Sequence, residues 1–132
     1  MSDESHELGV LLHLAQASLR RQRPLVRGRL LVLCSVFAAN RQLHKLSQYC
    51  RAQILQHNPQ HMIGKWPSVA EALLDDDFLT LLNRIRRSYP IERAEQLLDS
   101  LGIDANNEQH TYYTLEEWSA AILNVEPDAF VE

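Results

Sequence analysis

Arginine is the residue type whose placement carries most of the possible chemistry in this chain. Arg20, Arg21, Arg23, Arg27 and Arg29 fall within one short stretch, and Arg84, Arg86, Arg87 and Arg93 form a second group. A guanidinium is a planar fork of donors that matches a carboxylate or a phosphate with two parallel hydrogen bonds. Both groups lie near expected helix ends, where a cation also complements the helix dipole. The acidic second half of the chain is a further place where they could be neutralised. Within these groups, Arg20, Arg21, Arg23, Arg27, Arg86, Arg87 and Arg93 are the candidate partner-binding residues. The expected partner is a protein or peptide with an acidic segment, or the acidic half of a second copy of the chain.

Other constellations are sparse. There is no phosphate-binding glycine loop, no nucleophile elbow and no cysteine pair at metal-ligand spacing. His57 and His61 are four residues apart, but Pro59 between them keeps them from stacking on one regular helix, and a metal there would need further ligands. His13 lies off the apolar stripe of its segment. Asp75, Asp76 and Asp77 could suggest acid–base or cation chemistry, yet aspartate caps helices and suits a first turn, which explains the run more simply. Cys34 and Cys50 sit inside apolar-periodic stretches and read as reduced core thiols. No catalytic residue, metal or cofactor is expected, and the chain is expected to bind rather than to catalyse.

Elements are needed to hold those arginines in place, and the spacing of apolar residues supplies them. Leu8, Leu11, Leu12, Ala15 and Leu19 share one helical face. A second helix, from about Leu25 to Ala39, is apolar nearly all round and should be the most buried. A third runs from about Gln42 to His57 with Leu43, Leu46, Cys50 and Ile54 as its stripe. After an irregular stretch from His57 to Pro67, Ser68 and Glu71 form a capping box. Asp77 can cap the helix that carries Phe78, Leu81, Leu82 and Ile85. Pro90 suits the first turn of the next, which turns Ile91, Ala94, Leu97, Leu98 and Leu101 inward, and Gly102 is a natural stop. A polar loop follows, Asp104 to His110. Thr114 and Glu117 cap the last helix, which buries Leu115, Trp118, Ala121, Ile122 and Val125. The expectation is seven helices and no strand: an all-α chain.

Composition sets the outer bounds. The 132 residues suit one domain, spanning 1–132, and with 45% hydrophobic and 23% charged residues they can bury a core without disulfide or metal. Residues 1–66 carry nine Lys/Arg against three Asp/Glu, and residues 67–132 carry four against fourteen. A net of +6 in one half therefore faces −10 in the other, a dipole that would orient partners or allow self-association. With a pI near 5.8, the whole chain is a poor candidate for nucleic acid. Two lone cysteines, an acidic start lacking secretion features and a longest apolar run of only ten residues, Leu30 to Ala39, point to a cytoplasmic protein that does not span a membrane.

A short pattern recurs along the chain. SLRRQRP, QILQHNP, RIRRSYP and AILNVEP each place Leu or Ile five residues before a proline, and the prolines Pro24, Pro59, Pro90 and Pro127 are spaced by 35, 31 and 37 residues. Residues 19–32 and 85–98 also align, sharing Arg20/Arg86, Arg21/Arg87, Pro24/Pro90, Arg27/Arg93 and Leu31/Leu97. In this the chain resembles the tetratricopeptide repeat family, whose helix pairs recur about every 34 residues with a proline after the second helix. CRAQILQHNPQH and AILNVEPDA look most like repeat ends. The resemblance implies repeat boundaries at the four prolines and a solenoid of antiparallel helix pairs. It also implies an adaptor or chaperone-like role in which a helical groove binds a partner. A compact helical bundle is the alternative arrangement, and nucleic-acid binding through the arginines the alternative function.

Overall fold

The computed structural model describes residues 3–103 and 114–130, with side chains from His6 onward. The chain runs α1 (Asp3–Arg20), α2 (Pro24–Asn40), α3 (His44–His57), α4 (Val69–Ala72), α5 (Asp76–Ser88), α6 (Ile91–Ser100) and α7 (Leu115–Leu123), with 3-10 turns at Met62–Lys65 and Pro127–Ala129. Among the described residues there is no strand, so the class is all-α as expected. The polar loop expected at Asp104 to His110 falls outside the described residues.

Turn chemistry sets where the helices stop. Four of them end in the same motif, a left-handed residue just past the helix followed by a backward bond to the last turn. Arg23 N–H donates to Ser18 (2.9 Å), Leu43 to Ala38 (2.8 Å), Ile103 to Leu98 (3.1 Å) and Val125 to Ala120 (3.0 Å). The left-handed residues are Gln22 (φ 58°), Gln42 (φ 62°), Gly102 (φ 72°) and Asn124 (φ 61°). Only Gly102 announces itself by residue type; at Gln22 and Gln42 a Cβ is carried through a conformation that glycine adopts freely. The starts follow the capping boxes: Ser68 Oγ accepts from Glu71 N–H (3.2 Å) and Thr114 Oγ1 from Glu117 N–H (3.0 Å). For α5 the cap is Asp75, not Asp77. Asp75 Oδ1 accepts from the Asp77 amide (2.8 Å), while its Oδ2 accepts from Trp66 Nε1 (3.2 Å). The tie to Trp66 selects Asp75 from the three adjacent aspartates, and sequence spacing alone does not reveal it.

The connections Arg21–Arg23 and Arg41–Leu43 are too short for anything but antiparallel neighbours, so α1, α2 and α3 pack side by side with α2 in the middle. From Leu30 to Val36 every residue of α2 is buried, as its all-round apolar sequence predicts. The two buried serines of that layer are satisfied: Ser47 Oγ donates to the Ser35 carbonyl (2.9 Å) and Ser35 Oγ to that of Val32 (2.7 Å). Across α2 lie α4 and α5, and α1 is covered by α6 and α7. Gly9 makes the last contact possible, because a Cβ there would collide with the buried indole of Trp118. Leu19 departs from expectation, being 47% exposed. It sits in the last turn of α1, and residues 20–25 beyond it are all exposed, so no element reaches over it.

Candidate functional site

Parts of the two arginine groups, 66 residues apart in the repeat alignment, meet around the N-terminal half of α2: Arg84 joins Arg27 and Arg29 on one side, and Arg93 joins Arg21 and Arg23 on the other. The first follows from the α1/α2 turn, whose left-handed Gln22 swings Arg21 and Arg23 out to solvent. The second occupies the end of α5 and the start of α6, and α5 lies across α2.

One groove runs between α2, the end of α3 and the end of α5, with a volume of about 350 Å³. Its floor is aliphatic: Leu31, Ile54, Leu81 and Ile85. Arg27, Arg29 and Arg84 line it, with His57 and His61 on the α3 side. Arg27 donates to Gln53 Oε1 (3.2 Å), which ties its guanidinium to α3. His61 Nδ1 accepts from the Ile63 amide (3.0 Å), and burial lowers its pKa from the ordinary 6.5, in the direction of the neutral ring. Leu25, at the groove's outer end, is 74% exposed.

A second groove, of about 300 Å³, lies on the other side of α2 against α1 and α6. It gathers Arg21 and Arg23 from the first group and Arg93 from the second over Leu14, Leu30 and Leu97. The Arg93 guanidinium lies 5.8 Å from the centre of the Tyr89 ring, a contact that holds it over the groove wall. Arg86 borders a neighbouring recess beside Glu7, Leu11, Phe37 and Tyr89, so it has a carboxylate in the same recess. Arg20 and Arg87 are exposed and line none of these depressions.

No aspartate or glutamate among the described residues lines either groove. Among the described residues no carboxylate lies within ion-pair distance of any of the nine arginines; the ion pair recorded there joins His6 to Glu95 (2.6 Å). Residues 67–132 do pack against the first half, with α4 and α5 on α2 and α6 and α7 on α1, but among the described residues they bring no carboxylate into ion-pair contact with these arginines. A cluster of like charges without counter-charges repels itself, and an anionic partner relieves that repulsion.

Several groove residues were not singled out from sequence. The sequence presents His57 as a metal-ligand candidate, Leu81 as core, and Ile85 as core and as part of the pre-proline pattern, none of them as groove residues. Leu25 and Gly28 offered a usable signal: an apolar residue at the very start of a helix, and a glycine inside one. No family model matches the chain, and no curated protein or solved structure is similar to it at a significant level.

Proposed function

We propose that this protein is a protein-interaction module that holds an acidic segment of a partner against the arginine-lined surface around α2. The carrying observation is that Arg27, Arg29 and Arg84 share one groove and Arg21, Arg23 and Arg93 the other, on either side of α2, and that among the described residues no carboxylate lines either groove or pairs with these six. Aliphatic floors in both grooves add what a protein segment, unlike a bare polyanion, can use. The role is that of an adaptor or chaperone for one partner, in a reducing compartment where the buried thiols Cys34 and Cys50 stay free. Among the described residues no helix is long and apolar enough to cross a membrane.

The tetratricopeptide-like arrangement enters in modified form. Each of Pro24, Pro59, Pro90 and Pro127 follows a helix end, at α1, α3, α5 and α7, which favours a repeat origin. In an open solenoid each repeat touches only its neighbours, whereas α1 here packs on α6 and α7. That closure favours a compact bundle, with the binding surface on its outside instead of in a concave channel.

Charge reversal tests the proposal. The probe is a fluorescein-labelled glutamate-rich peptide with one central leucine, followed by fluorescence anisotropy. Arg23, Arg27, Arg84 and Arg93 changed together to Glu should weaken binding by at least about tenfold, given about 0–1 kcal/mol for each exposed pair. Reversal of Lys45 and Lys65 to Glu should change it little. Equal losses in both variants would mean that net charge alone governs binding. Single-stranded DNA binding as tightly as the peptide, with a steep salt dependence, would favour the nucleic-acid alternative.

A further inference from the structure

Glycine in a helix interior is unfavourable and usually has a packing reason. Gly9 has one in Trp118. Gly28 does not: it lies inside α2, it lines the groove between α2, α3 and α5, and a Cβ built on it meets nothing within 4 Å. At the aligned position of the second arginine stretch stands Ala94, fully buried in α6. The bare backbone at Gly28 therefore opens onto space that the described residues do not fill. Around that space the floor is apolar, Leu25 is exposed at the rim, and among the described residues Arg27, Arg29 and Arg84 supply the formal charges. An occupant has to be apolar where it meets the floor and anionic where it meets the arginines.

We infer that this groove seats an aliphatic side chain of an acidic partner segment, which packs against the α2 backbone at Gly28 while its flanking carboxylates engage Arg27, Arg29 and Arg84. This rests on the function proposed above and names the anchoring point within that surface. A peptide fits better than a small anion because the basic surface continues past the groove, over the start of α2, to Arg23, Arg21 and Arg93. Those further arginines give a chain of carboxylates somewhere to run. The open Cβ position at Gly28 admits the closest approach to the helix axis and accounts for the absence of a side chain there.

The experiment compares the labelled glutamate–leucine peptide with a counterpart in which alanine replaces the leucine. On the wild-type chain the leucine peptide should bind about tenfold more tightly, the fold-change that burying one such side chain supplies. Gly28→Leu fills the groove from within. It should abolish the preference for leucine while helical content and thermal midpoint are kept or raised. Leu25→Asp, at an exposed rim position, should weaken the leucine peptide without affecting folding. Equal binding of the two peptides to the wild type, or a leucine preference that survives Gly28→Leu, would overturn the inference. If charge reversal of the arginines still abolished binding in that case, the basic surface would stand and only the groove anchor would fall. Failure of both peptides to bind the wild type would remove the two together. A dimer of the wild type, detected by sedimentation equilibrium and lost in Gly28→Leu, would assign the groove to a second copy and overturn the peptide anchor.

Discussion

Two glycines on adjacent helices have opposite meanings because of what stands opposite each. Gly9→Ala drives a Cβ into the buried Trp118 indole. Overpacking of this kind costs about 1–3 kcal/mol, more than the gain of up to about 1 kcal/mol in helix propensity, so a net loss is expected in urea unfolding. Gly28→Ala meets nothing and should stabilise by up to about 1 kcal/mol. A gain for Gly9→Ala would place Trp118 elsewhere. Gln42 carries a φ of 62°. Gln42→Gly relieves about 1–2 kcal/mol of left-handed strain against about 0.4–1 kcal/mol of added unfolded-state entropy, so the thermal midpoint should rise. The cysteines test burial by pH. Burial raises the Cys34 thiol well above its ordinary value and pushes Cys50 up to about 12, the nearby Arg27 charge opposing this only in part for Cys50. The folded state keeps protons that the unfolded chain gives up. Stability from this source is therefore whole below the ordinary thiol value of 9.0 and is lost as pH rises from there towards about 12. Urea midpoints should fall over that range, and less so in Cys50→Ala.

At the scale of elements, α2 was the most legible part of the sequence, since an apolar surface all round a helix leaves it only a central position. Leu31 is 1% exposed, and Leu31→Ala should cost about 2–5 kcal/mol; a loss below about 0.5 kcal/mol, the range of surface changes, would contradict the central place of α2. Both capping boxes and the Gly102 stop were readable because their residue types have one efficient use. The stops at Gln22 and Gln42 were not, since glutamine is no helix-end signal and the motif is carried by backbone bonds. The choice of Asp75 over Asp77 and the exposure of Leu19 depended on neighbours outside the local window, Trp66 in one case and the lack of any covering element in the other. The arginines were visible as types, but their convergence requires α5 to cross α2, a long-range contact that periodicity does not encode.

For the whole molecule, the two halves of unlike charge pack on each other, α4 and α5 against α2 and α6 and α7 against α1, without pairing their charges at the arginines. Within the described residues no carboxylate pairs with the arginines of α1, α2, α5 and α6, although Glu7 shares a recess with Arg86, and the bundle closes by placing α6 and α7 on α1. An uncompensated surface of this kind has a consequence for stability as well as binding, since its mutual repulsion is relieved by salt. The thermal midpoint should therefore rise with moderate sodium chloride, and the charge-reversed variant should lose that response. The measurement that bears most directly on the central claim is a nuclear magnetic resonance titration of the isotopically labelled chain with the glutamate–leucine peptide. Shifts should concentrate on residues 21–31, on the end of α3 from Gln53 to His61, and on residues 81–97 around the α5/α6 corner. Shifts centred instead on Lys45 and Lys65, or spread evenly over every cationic residue, would contradict it.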